Sequence, residues 1–177
     1  MNLKSKSLEE LLTQVDEKDN VIGARPRNEF DDGKLIHRSS YLLLLNSQDE
    51  ILLQQRPLSK KWHPDKWTFS VTGSVLANET YRECIQREIK KAFEKEMDFK
   101  ELFKYHHFDE VDKAFKTVFL ATVDQDDIFL NRNYGVDYAW TNINKVKEEI
   151  NGNPEKYAPP FVTGMKIVFK KNLLEHL

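Results

Sequence analysis

The fold of this chain is decided by the stretch GSVLANETYRECIQREIKKAFEK, residues 73–95. Its apolar residues recur at the spacing of one helical face, which predicts an amphipathic helix from Glu79 to about Met97. Asn78 is of a residue type that often caps helices, and Glu79 falls in the first turn, where the helix dipole favours an acid. Gly73 precedes this helix, and its lack of a Cβ lets the backbone approach a neighbour closely. The stretch therefore predicts a strand, a tight loop and a helix.

Charged residues concentrate on the predicted helix. Glu79, Glu83 and Arg87 form one stripe, and Glu88 lies beside it. Clustered carboxylates are the oxygen ligands that Mg²⁺ or Mn²⁺ prefers, so Glu88 and Glu83 are the candidate catalytic residues. Lys91 lies one turn beyond Glu88, and its ammonium would compete there with a divalent cation. We therefore expect Mg²⁺ or Mn²⁺ to bind weakly or not at all.

A second group of charged residues precedes the glycine. Five basic side chains are interleaved with two tryptophans, namely Arg56, Lys60, Lys61, His63 and Lys66. Arginine suits two-pronged contacts with phosphate, and lysine supplies a point charge. A solvated basic loop is the plain alternative. The position of this group, between a predicted hairpin and the glycine, favours a phosphate-binding loop.

The rest of the chain alternates short strands with two further helices. The predicted strands are a strand–turn–strand unit at 15–23, a stronger hairpin at 41–45 and 51–54, and single strands at 67–71, 102–108, 114–123 and 138–141. The further helices are predicted over residues 144–150 and, after two prolines, 161–174. Residues 1–14 are expected to be a tail or a short helix, and residues 15–174 a single domain. This order of elements indicates an α+β fold with helices layered on a mixed sheet.

The composition of the chain makes some kinds of binding partner less expected. The chain has 177 residues, 40% of them hydrophobic, and a net charge of -2. Such a near-neutral balance gives no general attraction to nucleic acid or to an anionic membrane, so neither is an expected partner. No apolar run approaches the length of a membrane span, and a cytoplasmic protein is expected. The single cysteine, Cys84, lies on the predicted apolar helix face and is expected to be structural.

The spacing Gly73-x5-Glu79-x7-Arg87-Glu88-Ile89 resembles the first two-thirds of the Nudix box. Along the chain, the segments HRSSYLLLL, QQRPLSKK, WTFSVTG, DYAW and YAPPF occur in that order, three before the box helix and two after it. Together they resemble the type 1 isopentenyl-diphosphate isomerase branch of the Nudix superfamily. This superfamily also contains diphosphate hydrolases. The resemblance implies the Nudix fold, a mixed β-sheet sandwiched between helices, with the box helix beside the site.

The hydrolase part of the resemblance is incomplete. Nudix hydrolases bind divalent metal through an Arg-Glu-hydrophobic-x-Glu-Glu segment, in which Glu88 matches the first acid. Lys91 and Ala92 stand where the other two acids are expected. The resemblance gives Glu79 and Arg87 an organising role in the box.

The isomerase part is also incomplete. Thr72 stands at the position of its catalytic cysteine, and Ser74 at the position of a histidine. Its two late acids match Asp112 and Ala114, and one helix metal ligand matches Ala92. A threonine hydroxyl transfers protons poorly without an activating base, so an active isomerase is the least favoured hypothesis.

The residues that the resemblance assigns to the ligand are largely retained. Arg56 and Lys60 match the diphosphate-contacting residues, and Phe161 matches an aromatic that faces the reacting carbon, with an ordinary core residue as the alternative. His37 matches a metal histidine, with an ordinary hydrogen-bonded histidine as the alternative. Asp137 is a further candidate metal ligand, with a turn or cap role as the alternative. The candidate diphosphate-binding residues are Arg56, Lys60, His37, Thr72, Gly73 and Phe161.

Two functions stay open ahead of the isomerase. The first is a hydrolase that cleaves a diphosphate-containing small molecule with an impaired metal site. The second is a binding or regulatory module that keeps the pocket and has lost the chemistry. Nudix folds often form homodimers, so a homodimer is an expectation, although the sequence identifies no interface.

Overall fold

The computed structural model describes residues 10–124, 128 and 137–174. Its strands are β1 (Leu11–Val15), β2 (Val21–Pro26), β3 (Ile36–Leu45), β4 (Glu50–Gln55), β5 (Trp67–Thr68), β6 (Val71–Ser74), β7 (Lys100–Phe108), β8 (Lys113–Thr122) and β9 (Asp137–Asn142). Its helices are α1 (Tyr81–Phe93), α2 (Ile143–Gly152) and α3 (Pro159–Lys170), with 3₁₀ turns at Arg27–Phe30 and Pro154–Lys156.

The nine described strands form one mixed sheet centred on β3. Strand β8 pairs with β3 in parallel, from His37 opposite Ala114 to Leu45 opposite Thr122. Strands β1, β4 and β6 pair with β3 in antiparallel fashion. Strand β7 extends the sheet beyond β8, and β9 extends it beyond β4. This pairing brings β6, the start of β8 and the loop after β4 to one region of the molecule.

The sheet separates two hydrophobic cores, and its central hairpin contributes to both. Leu43, Leu45 and Leu53 pack with residues of α2 and α3 on one face. Leu42 and Leu44 pack with residues of α1 on the other. Strands buried on both faces read as unbroken apolar runs, which explains the segment YLLLL. The predicted α+β fold with a mixed sheet between helices is confirmed. None of the helices within the described residues is long and apolar enough to cross a membrane.

The N-terminal boundary expected at residue 15 is wrong, because the sheet begins at Leu11. Residues 11–14 are strand rather than tail or short helix, and they pair with β2. The turn between these strands is closed by Asp16, whose carboxylate accepts hydrogen bonds from the backbone N–H groups of Lys18 and Asn20. This local turn chemistry outweighs the weak helical spacing of the leucines.

Both ends of the box helix differ from the prediction. The N-cap is Thr80 rather than Asn78, because Thr80 and Glu83 form a reciprocal capping box. Asn78 takes a positive φ of 65° in the preceding turn. The helix ends at Phe93 rather than near Met97, since Glu94 adopts a left-handed conformation with φ 54°.

Candidate functional site

A cavity of about 520 Å³ opens between the sheet, helix α1 and the loop that joins β4 to β5. Its lining includes seven of the predicted site residues, namely His37, Arg56, Lys60, Thr72, Gly73, Arg87 and Glu88. Its described wall carries seven Lys or Arg and four Asp or Glu side chains, an excess of three positive charges with histidine neutral. The cavity is therefore suited to an anionic ligand.

Four predicted site residues lie outside the cavity lining. Phe161 is fully buried in the core, where it stacks on Tyr157. Glu83 accepts hydrogen bonds from the backbone and hydroxyl of Thr80, so its carboxylate serves the helix cap. Asp137 is exposed at the start of β9. The fourth is Glu79, which does not line the cavity but pairs with Arg87, which does.

An ion pair between Glu79 and Arg87 connects the loop that follows β6 to helix α1. The arginine Nε lies 2.7 Å from Oε1 of Glu79, and its Nη2 lies 2.9 Å from Oε2. Glu79 also accepts a hydrogen bond from the backbone N–H of Leu76, and Arg87 donates one to the carbonyl of Ser74. Burial alone would raise the pKa of Glu79, but its contacts with Arg87 and Leu76 outweigh burial and lower that pKa. The pair holds the segment between β6 and α1 in one conformation.

Strand β6 lies almost in contact with helix α1. A Cβ on Gly73 would stand 2.5 Å from Cγ of Glu88 and 3.1 Å from Sγ of Cys84. Only glycine permits this approach, which places the β6 backbone against the Glu88 side chain. The Cys84 thiol is fully buried, and burial raises its pKa to about 12, so it is no nucleophile at neutral pH.

Among the acids of the Nudix-box stretch, Glu88 is the one whose side chain lines the cavity. Its carboxylate is paired with two cationic side chains. Its side chain is 10% exposed, and Oε1 contacts Nη1 of Arg87 and lies 3.3 Å from Nζ of Lys91. Ala92, at the next expected acid position, is fully buried in the core beside α1 and faces apolar neighbours. The helix therefore presents one carboxylate to the cavity and a lysine beside it.

A second carboxylate–ammonium pair lies across the cavity. Nζ of Lys116 lies 2.7 Å from Oδ2 of Asp112, whose Oδ1 lies 3.0 Å from Nε2 of His37. Burial alone would lower the pKa of Lys116, but Tyr41 and Asp112 outweigh burial and raise it. Burial alone would raise the pKa of Asp112, but Lys116 and His37 outweigh it and lower that pKa. Both groups of the pair are therefore charged at neutral pH.

The cavity acids do not assemble a metal site. Among the described residues, no group of three or more His, Cys, Asp or Glu is placed to hold a metal ion. The two outer acids of the wall, Glu10 and Asp31, pair with Arg27 and Lys61 at 3.6 Å and 3.1 Å. Since each described carboxylate of the wall has a cationic partner, these residues do not fit a resident Mg²⁺ or Mn²⁺ ion.

Arg56 shapes the loop between β4 and β5. Its Nε and Nη2 donate hydrogen bonds to the carbonyl of Trp62 at 3.2 Å and 2.9 Å, and Nε also donates to the carbonyl of His63 at 3.1 Å. Burial lowers the pKa of Arg56, though an arginine stays charged. Lys60 lies on the same loop, and the residue as a whole is exposed. Partial burial of its ammonium, then repulsion from Arg56, lowers the pKa of Lys60.

Three polar atoms of the cavity wall are buried without a hydrogen-bond partner in the described part of the chain. They are Oε1 of Gln54, Nε1 of Trp62 and Nε2 of His63. Nε2 of Gln54 donates to Oγ1 of Thr72 at 3.0 Å. Because these atoms have almost no accessible surface, a ligand in the cavity would reach them only after neighbouring side chains moved.

Sequence reasoning missed Lys116, although a signal for it exists. The residue lies in the middle of strand β8, two positions after Ala114 and two before Val118. Alternation along a strand places these three side chains on one face, and Ala114 and Val118 are fully buried. A lysine at a buried position of this kind has a specific partner or a function.

Comparisons with known proteins show the family and the fold. The sequence matches the model of the NUDIX domain over residues 35–160. It is 33% identical over 170 residues to a prenyl-diphosphate phosphatase from Methanosarcina mazei, covering 94% of this chain and 99% of the relative. It is 28% identical over 169 residues to an isopentenyl-diphosphate Delta-isomerase from Serratia proteamaculans, covering 90% and 91%. A crystal structure of a Deinococcus radiodurans protein superposes with a TM-score of 0.67 at 22% identity, covering 81% of this chain and 90% of the other, and supports the fold alone.

Proposed function

Because this chain belongs to the Nudix family and is related to its isopentenyl-diphosphate isomerase branch, we propose that it hydrolyses a prenyl diphosphate. The family supports a diphosphate-containing substrate in general. The prenyl group is supported by the similarity to the prenyl-diphosphate phosphatase, which extends along nearly the whole length of both chains.

The mixed lining of the cavity supports this proposal most directly. Its seven Lys or Arg side chains are accompanied by the apolar side chains of Leu12, Phe30, Val111 and Pro160. A prenyl diphosphate combines an anionic diphosphate head with a hydrocarbon tail. An apolar wall beside cations supports such a ligand better than one with a second polar half.

The cations of the wall would bind the diphosphate and stabilise charge as it develops. Lys60 and Arg56 lie on the loop at the cavity, and Lys116 lies opposite, from strand β8. Positioned cations favour phosphoryl transfer, since negative charge spreads over the phosphoryl oxygens and the leaving group in the transition state.

Glu88 is the residue that we assign to orienting the attacking water. Its carboxylate borders the cavity, whereas that of Glu83 is held in the helix cap. Arg87 and Lys91 both contact its Oε1 and compete there with a water molecule, so slow turnover is expected. No catalytic step is assigned to a metal ion, because the described donors do not fit one.

The second candidate function is a non-catalytic diphosphate-binding module. The cationic partners of Glu88 are the observation that favours it, since a neutralised carboxylate activates water poorly. The isomerase reading has less support. The hydroxyl of Thr72 accepts a hydrogen bond from Gln54, and that of Ser74 accepts one from Arg27. Among the described residues, neither hydroxyl is hydrogen-bonded to a carboxylate or a histidine that could act as its base.

Phosphate release from geranylgeranyl diphosphate, compared with AMP formation from ADP-ribose, separates these functions. The proposal predicts release from the prenyl compound that Glu88→Gln lowers by at least about tenfold. Glu83→Gln is the matched control, because glutamine also serves a capping box and the side chain lies outside the cavity lining. Binding of the prenyl compound without release would support the module, and activity on ADP-ribose alone would contradict the proposed substrate.

A further inference from the structure

The carboxylates of the cavity wall already form ion pairs with positively charged side chains of the protein. The two inner ones, Glu88 and Asp112, have ammonium groups from Lys91 and Lys116 at 3.3 Å and 2.7 Å. These are the acids that a divalent cation bridging a bound diphosphate would need. A metal ion would have to displace an ammonium or share a carboxylate with it.

Displacement is least favourable at Lys116. Its side chain is 1% exposed, and its ammonium also lies 5.4 Å from the centre of the Tyr41 ring. Removing Asp112 from this lysine would leave a buried positive charge without its counterion, which is a strongly unfavourable arrangement. The lysine therefore stays where it is and keeps its charge beside the cavity.

The cavity wall also carries hydrogen-bond donors that are not bonded to a carboxylate of the described residues. Arg56 donates hydrogen bonds to backbone carbonyls rather than to an acid, and Lys60 forms no ion pair with a described carboxylate. Both side chains line the cavity. A guanidinium and an ammonium are both donors, and an anion with several oxygens can accept hydrogen bonds from each of them.

We propose that the cavity binds diphosphate without a divalent cation, with lysine and arginine side chains supplying the charge that a metal ion would otherwise supply. This inference rests on the proposed function, since it concerns the same ligand at the same site. It predicts diphosphate binding that does not require Mg²⁺ and a free protein that binds Mn²⁺ weakly.

The first test is calorimetric titration of the full chain with inorganic pyrophosphate, in EDTA and then in excess Mg²⁺. Because Mg²⁺ complexes pyrophosphate in solution, we expect binding in EDTA to be at least as tight as in excess Mg²⁺, and Lys60→Ala to weaken binding in EDTA about tenfold. Binding that is at least about tenfold tighter with Mg²⁺ would overturn the inference and leave the proposed function standing. Absence of pyrophosphate binding in both buffers, together with absence of phosphate release from geranylgeranyl diphosphate, would overturn both.

The second test places a carboxylate beside Glu88 and measures Mn²⁺ alone by electron paramagnetic resonance. Lys91→Glu should bind Mn²⁺ at least about tenfold more tightly than the wild type and bind pyrophosphate in EDTA more weakly. The side chain of Lys91 is 49% exposed, so this variant should fold. Lys90→Glu is the matched control, since Lys90 is exposed on the same helix outside the cavity lining. A wild type that binds Mn²⁺ as tightly as Lys91→Glu would overturn the inference.

Discussion

Nζ of Lys116 lies 2.7 Å from Oδ2 of Asp112, and the lysine side chain is only 1% exposed. Replacing one partner of a buried pair leaves the other without its counterion, which costs about 3–5 kcal/mol. Lys116→Met should therefore lower the free energy of unfolding in urea by that amount. Lys116→Met combined with Asp112→Asn should recover much of the loss, because both charges are then absent. A single variant within about 1 kcal/mol of the wild type would show that the pair is not a buried counterion pair.

Gly73 should not tolerate a methyl group. Gly73→Ala would place its Cβ 2.5 Å from Cγ of Glu88, so strand β6 and helix α1 would have to separate. We expect a loss of about 1–3 kcal/mol in unfolding free energy, together with weaker pyrophosphate binding. Gly152→Ala is the matched control, because a Cβ there has no neighbour within 4 Å. Equal stabilities of the two variants in thermal unfolding would contradict the close approach of β6 to α1.

The ion pair of Glu79 with Arg87 should make stability depend on acid pH. The folded-state pKa of Glu79 lies below its ordinary value of 4.5, so the stabilisation is present above that pH and is lost as the pH falls through the folded pKa. Glu79→Gln should be less stable than the wild type at pH 7 by about 1–3 kcal/mol. The difference should shrink below about pH 4. A difference in urea unfolding that stays constant from pH 7 to pH 3 would argue against the pair.

Arg56 should be needed for the shape of its loop as well as for its charge. Arg56→Lys keeps the charge but cannot donate to the carbonyls of Trp62 and His63 in the same forked geometry. We expect faster hydrogen–deuterium exchange across residues 57–66 and pyrophosphate binding weakened by about tenfold. Lys100→Ala is a control, because Lys100 is exposed on strand β7 outside the cavity lining. Unchanged exchange in Arg56→Lys would show that the loop is held by other contacts.

The fold was largely predictable because its signals are local. The unbroken apolar run of β3 and the helical spacing from Cys84 to Phe93 each report burial directly. The ends of the elements were less predictable. Thr80 with Glu83 outcompeted Asn78 as the cap, and the turn at Asp16 converted a weak helical pattern into a strand.

The cavity was predictable only in part, because its wall depends on contacts distant in sequence. Arg56, Lys60 and Glu88 were found from charge and spacing, and all three line the cavity. Lys116 and Asp112 are four residues apart, but the burial of Lys116 depends on the pairing of β8 with β3, which is distant in sequence. The burial of Phe161 depends on the packing of α3 against the sheet.

The most direct test of the account is a crystal structure with inorganic pyrophosphate from crystals grown in MnCl₂, with anomalous data at the manganese edge. The account predicts pyrophosphate in the cavity beside Lys60 and Arg56, with Lys91 and Lys116 still paired to Glu88 and Asp112 and no anomalous peak at either carboxylate. A manganese ion bridging Glu88 and the pyrophosphate would contradict it.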